Sequence, residues 1–213
     1  MIRIGTCSWK YDSWKGIVYS ENVGKNHLAE YSQKYNTVEI DQWFWSLFAE
    51  DKVTLPLTSV VKSYAASVPD DFKFTVKIPN SITLTHFYRK KKSDPLQSNP
   101  YFLSNQLLNK FLESIDPLKS KIGMLMFQFE YLNKQKISSQ GEFQNKLAGF
   151  IDNADRSFLY GIEIRNPNYL NRKYFDFLHF NNLSHVYLQG YYMPSINDIF
   201  EMNKILIKRP TEL

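Results

Sequence analysis

Seven residues of this chain are of types that do acid–base or anion chemistry and stand where a strand or a loop after a strand would carry them: Glu39, Asp41, Lys77, His86, Gln128, Glu163 and Arg165. Glu39 sits inside Thr37-Val38-Glu39-Ile40-Asp41, a run rich in β-branched residues. Successive side chains of a strand point to opposite faces. Val38 and Ile40 therefore share one face, and Thr37, Glu39 and Asp41 share the other. An unpaired carboxylate in a core is costly, so cations or hydrogen-bond donors must meet that second face. Lys77 ends the alternating run 72–78, and Arg165 ends the run 159–165 in which Gly161, Glu163 and Arg165 oppose Tyr160, Ile162 and Ile164. Gln128 is the polar exception in the apolar run 123–129.

Carboxylates set against Lys and Arg are held ionised and oriented. That arrangement suits a general base beside an anion clamp. Glu39 or Glu163 is the candidate base, Lys77 and Arg165 would hold an anionic group, and His86 could exchange a proton. Asp41 and Gln128 would bind substrate, and Trp9 and Trp14, with Trp43 and Trp45, would offer rings to a sugar or a base. The structural alternative is an ion network that merely plugs a barrel. Function is favoured over a plug, because charges are expensive to desolvate and apolar side chains would fill the space as stably.

The elements needed to position these residues alternate along the chain. Strands are expected at about 2–7, 37–41, 72–78, 123–129, 159–165 and 185–190. Between them apolar residues recur at helical spacing: Leu28, Tyr31 and Tyr35 within 25–35; Val60, Val61, Tyr64 and Ala65; Leu107, Leu108, Phe111, Leu112 and Ile115; Phe143, Leu147, Phe150 and Ile151; and Tyr174, Phe175, Phe177 and Leu178. Ser195 is placed to cap a last helix through Ile199, and 205–213 holds another apolar triplet. Six βα units argue for a parallel sheet with right-handed crossovers, wound on both faces or rolled into a barrel. No Gly-rich phosphate loop appears, and one strand parity turns polar toward the C-terminal ends, where barrel enzymes build their sites. The expected fold is therefore an α/β TIM-type barrel, incomplete at about six units, over a single domain 1–213.

Composition sets wider limits. The 213 residues are 43% hydrophobic and 22% charged, which is globular rather than disordered. No apolar run is long enough to span a bilayer and the start lacks the apolar region of a signal peptide, so a cytoplasmic protein with no membrane partner is expected. The single Cys7 offers no disulfide or ligand cluster and reads as a small buried hydrophobe. The net charge of +5 is partly concentrated in Tyr88-Arg89-Lys90-Lys91-Lys92, a solvated loop or a patch for phosphate or nucleic acid. That run lies in 79–99, a stretch long enough to be functional or mobile. Residues 8–16 would either wall a pocket or cover the barrel end.

Read together, Gly5-Thr6-Cys7-Ser8-Trp9-Lys10-Tyr11 with Trp14, Gly16 and Tyr19, then Thr37-Val38-Glu39-Ile40-Asp41, Phe72-Lys73-Phe74-Thr75-Val76-Lys77 with Thr85-His86, residues 123–128, and Glu163-Ile164-Arg165 resemble the domain of unknown function 72 family along nearly the whole chain. The resemblance implies a TIM-type barrel without an assigned activity. It marks Glu39, Lys77, His86, Gln128, Glu163 and Arg165 as motif positions. Asp41 stands where the family usually has asparagine, Cys7 where it has serine, and Trp43-Phe44-Trp45 where Thr-Phe-Tyr is usual. Members usually continue into a further strand with an Arg-Leu-His-Gly type motif, so a truncated product, an atypically short member or an oligomer that covers the open edges of the barrel is a further expectation.

Three functions stay open on the residues: an enzyme of the hydrolase, lyase or isomerase type acting on a small polar or anionic, sugar- or phosphate-bearing substrate; a nucleic-acid-binding or processing protein; and a non-catalytic metabolite-binding or scaffold protein. No cofactor is expected. A divalent metal has weak support: His27, His86, His179 and His185 show no paired spacing, although Glu39, Asp41 and Glu163 could hold Mg²⁺ or Mn²⁺ through oxygen.

Overall fold

The computed structural model describes residues 1–203 apart from 23, 25, 50, 51, 90, 92 and 191. The strands in chain order are β1 (Thr37–Ile40), β2 (Leu47–Ala49), β3 (Lys52–Val53), β4 (Lys73–Lys77), β5 (Ile122–Phe129), β6 (Tyr160–Ile164) and β7 (Ser184–His185). β2 and β3 form a separate antiparallel hairpin; the other five form one parallel sheet in the order β1-β4-β5-β6-β7. Strands that add in chain order through crossovers of one hand place every connecting helix on the same face. A sheet wound on both faces would reverse its order, and among the described strands no reversal occurs. Among the described residues the sheet does not close: β1 and β7 are its two edges.

This one-sided winding explains the two strand parities. Val38, Ile40, Phe74, Val76, Leu125, Phe127, Ile162 and Ile164 are almost wholly buried and belong to one continuous core. That core also takes Val61 and Tyr64 of α2 (Thr58–Ala66), Leu108 and Phe111 of α4 (Asn105–Ile115), Phe143 and Leu147 of α5 (Gln140–Ile151) and Tyr174 and Leu178 of α6 (Arg172–Phe180). Each such side chain contributes about 1.5–3 kcal/mol by leaving water. The opposite parity is only half-buried at Thr37, Glu39, Lys73, Thr75 and Lys77. Helix starts are specified locally. The side chains of Ser104, Ser139 and Asn171 accept hydrogen bonds from Leu107, Glu142 and Tyr174 N–H groups at the N-termini of α4, α5 and α6.

Several expectations need correction. Residues 2–7 are not a strand. They run beside β1, held by the Glu39 N–H on the Thr6 carbonyl at 3.0 Å and by Asn36, whose side chain accepts from Ile4 N and donates to Ile2 O. A side chain here takes the bonds that a ladder would make. Gly5 permits the approach, since a Cβ there would lie 2.0 Å from the Thr37 carbonyl oxygen. Ile2, Ile4 and Cys7 are exposed on this segment rather than buried. The first helix, α1, covers only His27–Tyr31 of the expected 25–35, with Asn26 as its cap; residue 25 lies outside the described residues. β7 (Ser184–His185) keeps one residue of the expected 185–190, after which the Val186 N–H on the Ile162 carbonyl is the next bond to the sheet. The last helix, α7, spans Ile196–Asn203, directly after Ser195. The triplet in 205–213 lies outside the described residues.

The stretch 79–99 is anchored at its start. It opens with a fully buried turn of helix, α3 (Asn80–Thr83), which periodicity could not show. Asn80 Oδ1 accepts from the backbone N–H groups of Ser46 and Leu47 and from Ser46 Oγ. Asn99 Nδ2 donates to the carbonyls of Ser81 and Leu84 at 2.8 and 2.7 Å. No helix among the described residues is long and apolar enough to cross a membrane.

His185 carries the first prediction. Edge-on rings of Tyr174, Phe175 and Tyr187 surround it, and burial pushes its imidazole down to about 4. A histidine with a depressed folded pKa favours the neutral form, so its contribution is present above the unfolded value near 6.5 and is lost as pH falls toward 4. Chemical denaturation of the wild type should lose at most roughly 3 kcal/mol from this residue across that window. His185→Gln should flatten that part of the pH profile; an unchanged slope in the variant would remove the assignment.

Candidate active site

Glu39, Lys77, Gln128, Glu163 and Arg165 meet at the C-terminal ends of four adjacent strands, where the parallel register sets their reach. Glu39 pairs with Thr75 across β1 and β4, and Gln128 pairs with Glu163 across β5 and β6. Lys77 Nζ lies 2.8 Å from Glu39 Oε1, a charge contact made without directed hydrogen-bond geometry. Burial pushes the Glu39 carboxyl above the usual carboxylate range; Lys77 opposes the rise, and Asp41 and Glu163 add to it. Glu163 is buried, and its Oε1 accepts from Gln128 Nε2 at 2.7 Å and from Arg165 Nε at 3.3 Å. Arg165 Nη1 and Nη2 make no hydrogen bond to a described residue. Its guanidinium is thus oriented from behind and open in front.

Above this floor lies a cleft of about 320 Å³. Its walls are Asp41, Phe44 and Trp45 after β1, Leu84 and Tyr88 after α3, and Phe129 and Glu130 at the end of β5, with Lys77, Gln128 and Arg165 beneath. Asp41 makes no side-chain hydrogen bond or ion pair with a described residue. Lys77 Nζ stands 5.9 Å over the Phe44 ring. Trp45 and Tyr88 face each other with ring centroids 6.1 Å apart, and both are more than half exposed. The latch at Asn80 holds this wall, since Ser46 and Leu47 follow Trp45 directly and the Asn80 N–H donates to the Phe44 carbonyl at 2.7 Å.

The other expected residues lie elsewhere. Trp9 is 3% exposed, edge-on to Tyr64 at 5.0 Å, and is a packing residue. Trp14 packs among Tyr11, Tyr19 and Tyr31, and Trp43 stacks on Tyr64. None of residues 8–16 lines the cleft. His86 stays outside the cleft, bridged to Ser98, with Nδ1 2.9 Å from Thr85 Oγ1. Burial lowers its pKa, Lys136 lowers it further and Glu130 opposes. The basic run closes on itself: Arg89 Nη1 donates to the Asp94 carbonyl and the Lys91 N–H to Asp94 Oδ2. Lys90 and Lys92 lie outside the described residues. The described residues hold no group of three or more His, Cys, Asp or Glu placed for a metal ion, so Glu39, Asp41 and Glu163 do not form an oxygen cage.

Two residues absent from the sequence reading belong here. Glu130 shares the parity of Gln128 one step beyond β5 and lines the cleft, with Lys136 ion-paired to its Oε2. Extending the strand alternation by two residues would have found Glu130. In the sequence Tyr88 is only the start of a basic run, and no periodicity predicts its place.

These features define an α/β protein with a mostly parallel sheet and a charged cleft at the C-terminal ends of its strands. The chain belongs to the family described as "Protein of unknown function DUF72", whose profile matches residues 3–197. It is 25% identical over 170 residues to the UPF0759 protein YecE of Escherichia coli strain K12, an alignment that covers 79% of this chain and 50% of that protein. The chain therefore spans about half the length of the curated relatives it matches. Crystal structures of two DUF72 family proteins share the fold. The one from Thermotoga maritima has a TM-score of 0.62 at 22% identity, over 91% of this chain and 67% of that one. The one from Enterococcus faecalis has 0.58 at 21%, over 87% and 60%.

Glu163 yields a stability prediction. Glu163→Ala leaves a buried arrangement of Gln128 and Arg165 without its acceptor and should cost about 2–3 kcal/mol in urea unfolding. Glu163→Gln keeps an acceptor and should cost about half as much or less. Equal losses would show that the negative charge, rather than the shape or the acceptor, is what the site requires. Glu39 gives a second. Its raised folded value favours the neutral carboxyl, so the stability of the wild type relative to Glu39→Gln should be highest below the unfolded value and fall as pH rises through the folded one. Thermal melts of both proteins between pH 4 and 8 check the sign; a wild type that gains on the variant with rising pH would show that Lys77 outweighs burial.

Proposed function

We propose that the cleft binds a small polar or anionic, sugar- or phosphate-bearing substrate and carries out general acid–base chemistry on it, and that the five-stranded sheet is an arc of a TIM-type barrel. The single observation that carries this reading is the Glu39–Lys77 pair: a carboxyl with a raised pKa, held 2.8 Å from an ammonium at the edge of an open cleft. A carboxyl whose proton affinity is raised by burial and opposed by a neighbouring ammonium is suited to proton exchange, which an acid–base catalyst needs. In this reading Glu39 exchanges the proton, Lys77 stabilises charge that develops on the substrate, and Arg165 positions the substrate through its open Nη groups. Glu163 and Gln128 hold Arg165 in place, and Asp41 accepts a hydrogen bond from the ligand. His86 stands too far back to touch the substrate.

A small ligand is favoured over a nucleic-acid strand because the cleft is near the lower end of the usual size range for ligand sites. Self-association is the reading for the open edge beside residues 2–7, where Ile2 and Ile4 are exposed.

A thermal-shift screen of sugars, sugar phosphates and small carboxylic acids tests the assignment. One class should raise the melting temperature by at least about 2 °C at millimolar concentration. Arg165→Ala should abolish the shift while melting within a few degrees of the wild type. A screen without any shift, or an Arg165→Ala protein that fails to fold, would favour the structural plug.

A further inference from the structure

The charges around the cleft do not balance, and the imbalance selects among the ligands proposed above. Each cation at the site already has a carboxylate: Lys77 with Glu39, Arg165 with Glu163 and Lys136 with Glu130. Asp41 is left over, a cleft-lining carboxylate with no hydrogen bond or ion pair from a described residue. Among the described residues that line the cleft, the cations Lys77 and Arg165 each face a carboxylate, whereas acceptor oxygens are in surplus. A dianion entering here would meet Asp41 and Glu130 on the walls without a counter-charge of its own, and like charges in a partly desolvated cleft repel. A ligand that brings hydroxyl donors meets the opposite situation, because ionised carboxylates accept hydrogen bonds on both oxygens.

The apolar part of the wall points the same way. Trp45 is 61% exposed and Tyr88 57%, although both are large rings with core positions available to others of their kind. Their centroids lie 6.1 Å apart at an interplanar angle of 41°, which makes an angled ring surface on one side of the cleft. The latch from Asn80 to Ser46 and Leu47 fixes the backbone that carries Trp45. Aromatic faces carry negative quadrupole charge and so attract the slightly positive C–H groups of a sugar ring. Hydroxyls on the same ring would reach Asp41 and Glu130, and Gln128 and the free edge of Arg165 would donate to its oxygens. The volume of about 320 Å³ suits one or two sugar rings and excludes a longer chain.

We infer that the cleft is a carbohydrate site for an uncharged mono- or disaccharide, with Trp45 and Tyr88 as its ring platform and Asp41 and Glu130 as its hydroxyl acceptors. The inference rests on the binding role proposed for the cleft and narrows its ligand. Saturation-transfer NMR and isothermal titration with D-glucose, D-ribose and cellobiose, each phosphate ester of the first two, and inorganic phosphate distinguish the cases. At least one neutral sugar should bind, with the strongest transfer to its ring C–H protons, and its phosphate ester should bind no more tightly. Trp45→Ala should weaken that binding by about tenfold or more, and Asp41→Asn, which keeps shape and one acceptor, by about threefold to tenfold. Circular dichroism of both variants should match the wild type, since Trp45 and Asp41 are not core residues. A phosphate ester that binds more tightly than its parent sugar, or inorganic phosphate binding where no sugar does, would overturn the carbohydrate assignment and leave the anion-binding role standing. Binding of neither sugars nor phosphates would overturn both.

Discussion

Burial of one face of the sheet against the helices is the constraint on which this structure depends. Glu39, Lys77, Gln128, Glu163 and Arg165 occupy one end of a sheet whose other face is largely apolar, and each is positioned by a strand that could not tilt or shift without exposing Val38, Phe74, Phe127 or Ile162. A one-residue slip in any strand would exchange the two faces. The burial of the helix-covered face therefore fixes the register, and the register fixes which carboxylate meets which cation. The ion pairs are consequences of the apolar packing, and they would contribute little to stability on their own.

The two halves of the cleft are built by different means. Its floor comes from regular strands, where position follows from alternation. Its walls come from irregular segments tied together by amides: Asn80 under the Phe44 and Trp45 wall and Asn99 across the stretch that carries Tyr88. A side-chain amide can donate and accept at once. It can therefore replace a short piece of ladder where the backbone does not run straight.

This division also decides what could be read without coordinates. Alternation in 37–41, 72–78 and 159–165 and the single Gln128 in an apolar strand lead directly to the floor residues, because a strand with one buried face admits one register. The same rule, carried two residues further, reaches Glu130. Trp9, Trp14 and His86 were misplaced because their positions depend on how loops fold back, and a tryptophan after a strand end looks the same whether it lines a cleft or packs on Tyr64. Asn80 and Tyr88 were invisible for that reason as well. Family resemblance was readable from motifs spread over nearly the whole chain, and the match over residues 3–197 agrees with it. Residues 2–7 misled in the other direction: their alternation is that of a strand, yet Asn36 takes the hydrogen bonds that a neighbouring strand would offer.

The Asn80 latch has a consequence for the thermodynamics of whatever enters the cleft. Three donors from residues 46 and 47 converge on one buried amide oxygen, so the peptide after Trp45 loses its freedom when the chain folds. A visiting molecule then need not order that peptide, and the associated entropy loss is already complete before the encounter. The cleft is consequently stiff beside Trp45, which allows it to discriminate by shape there.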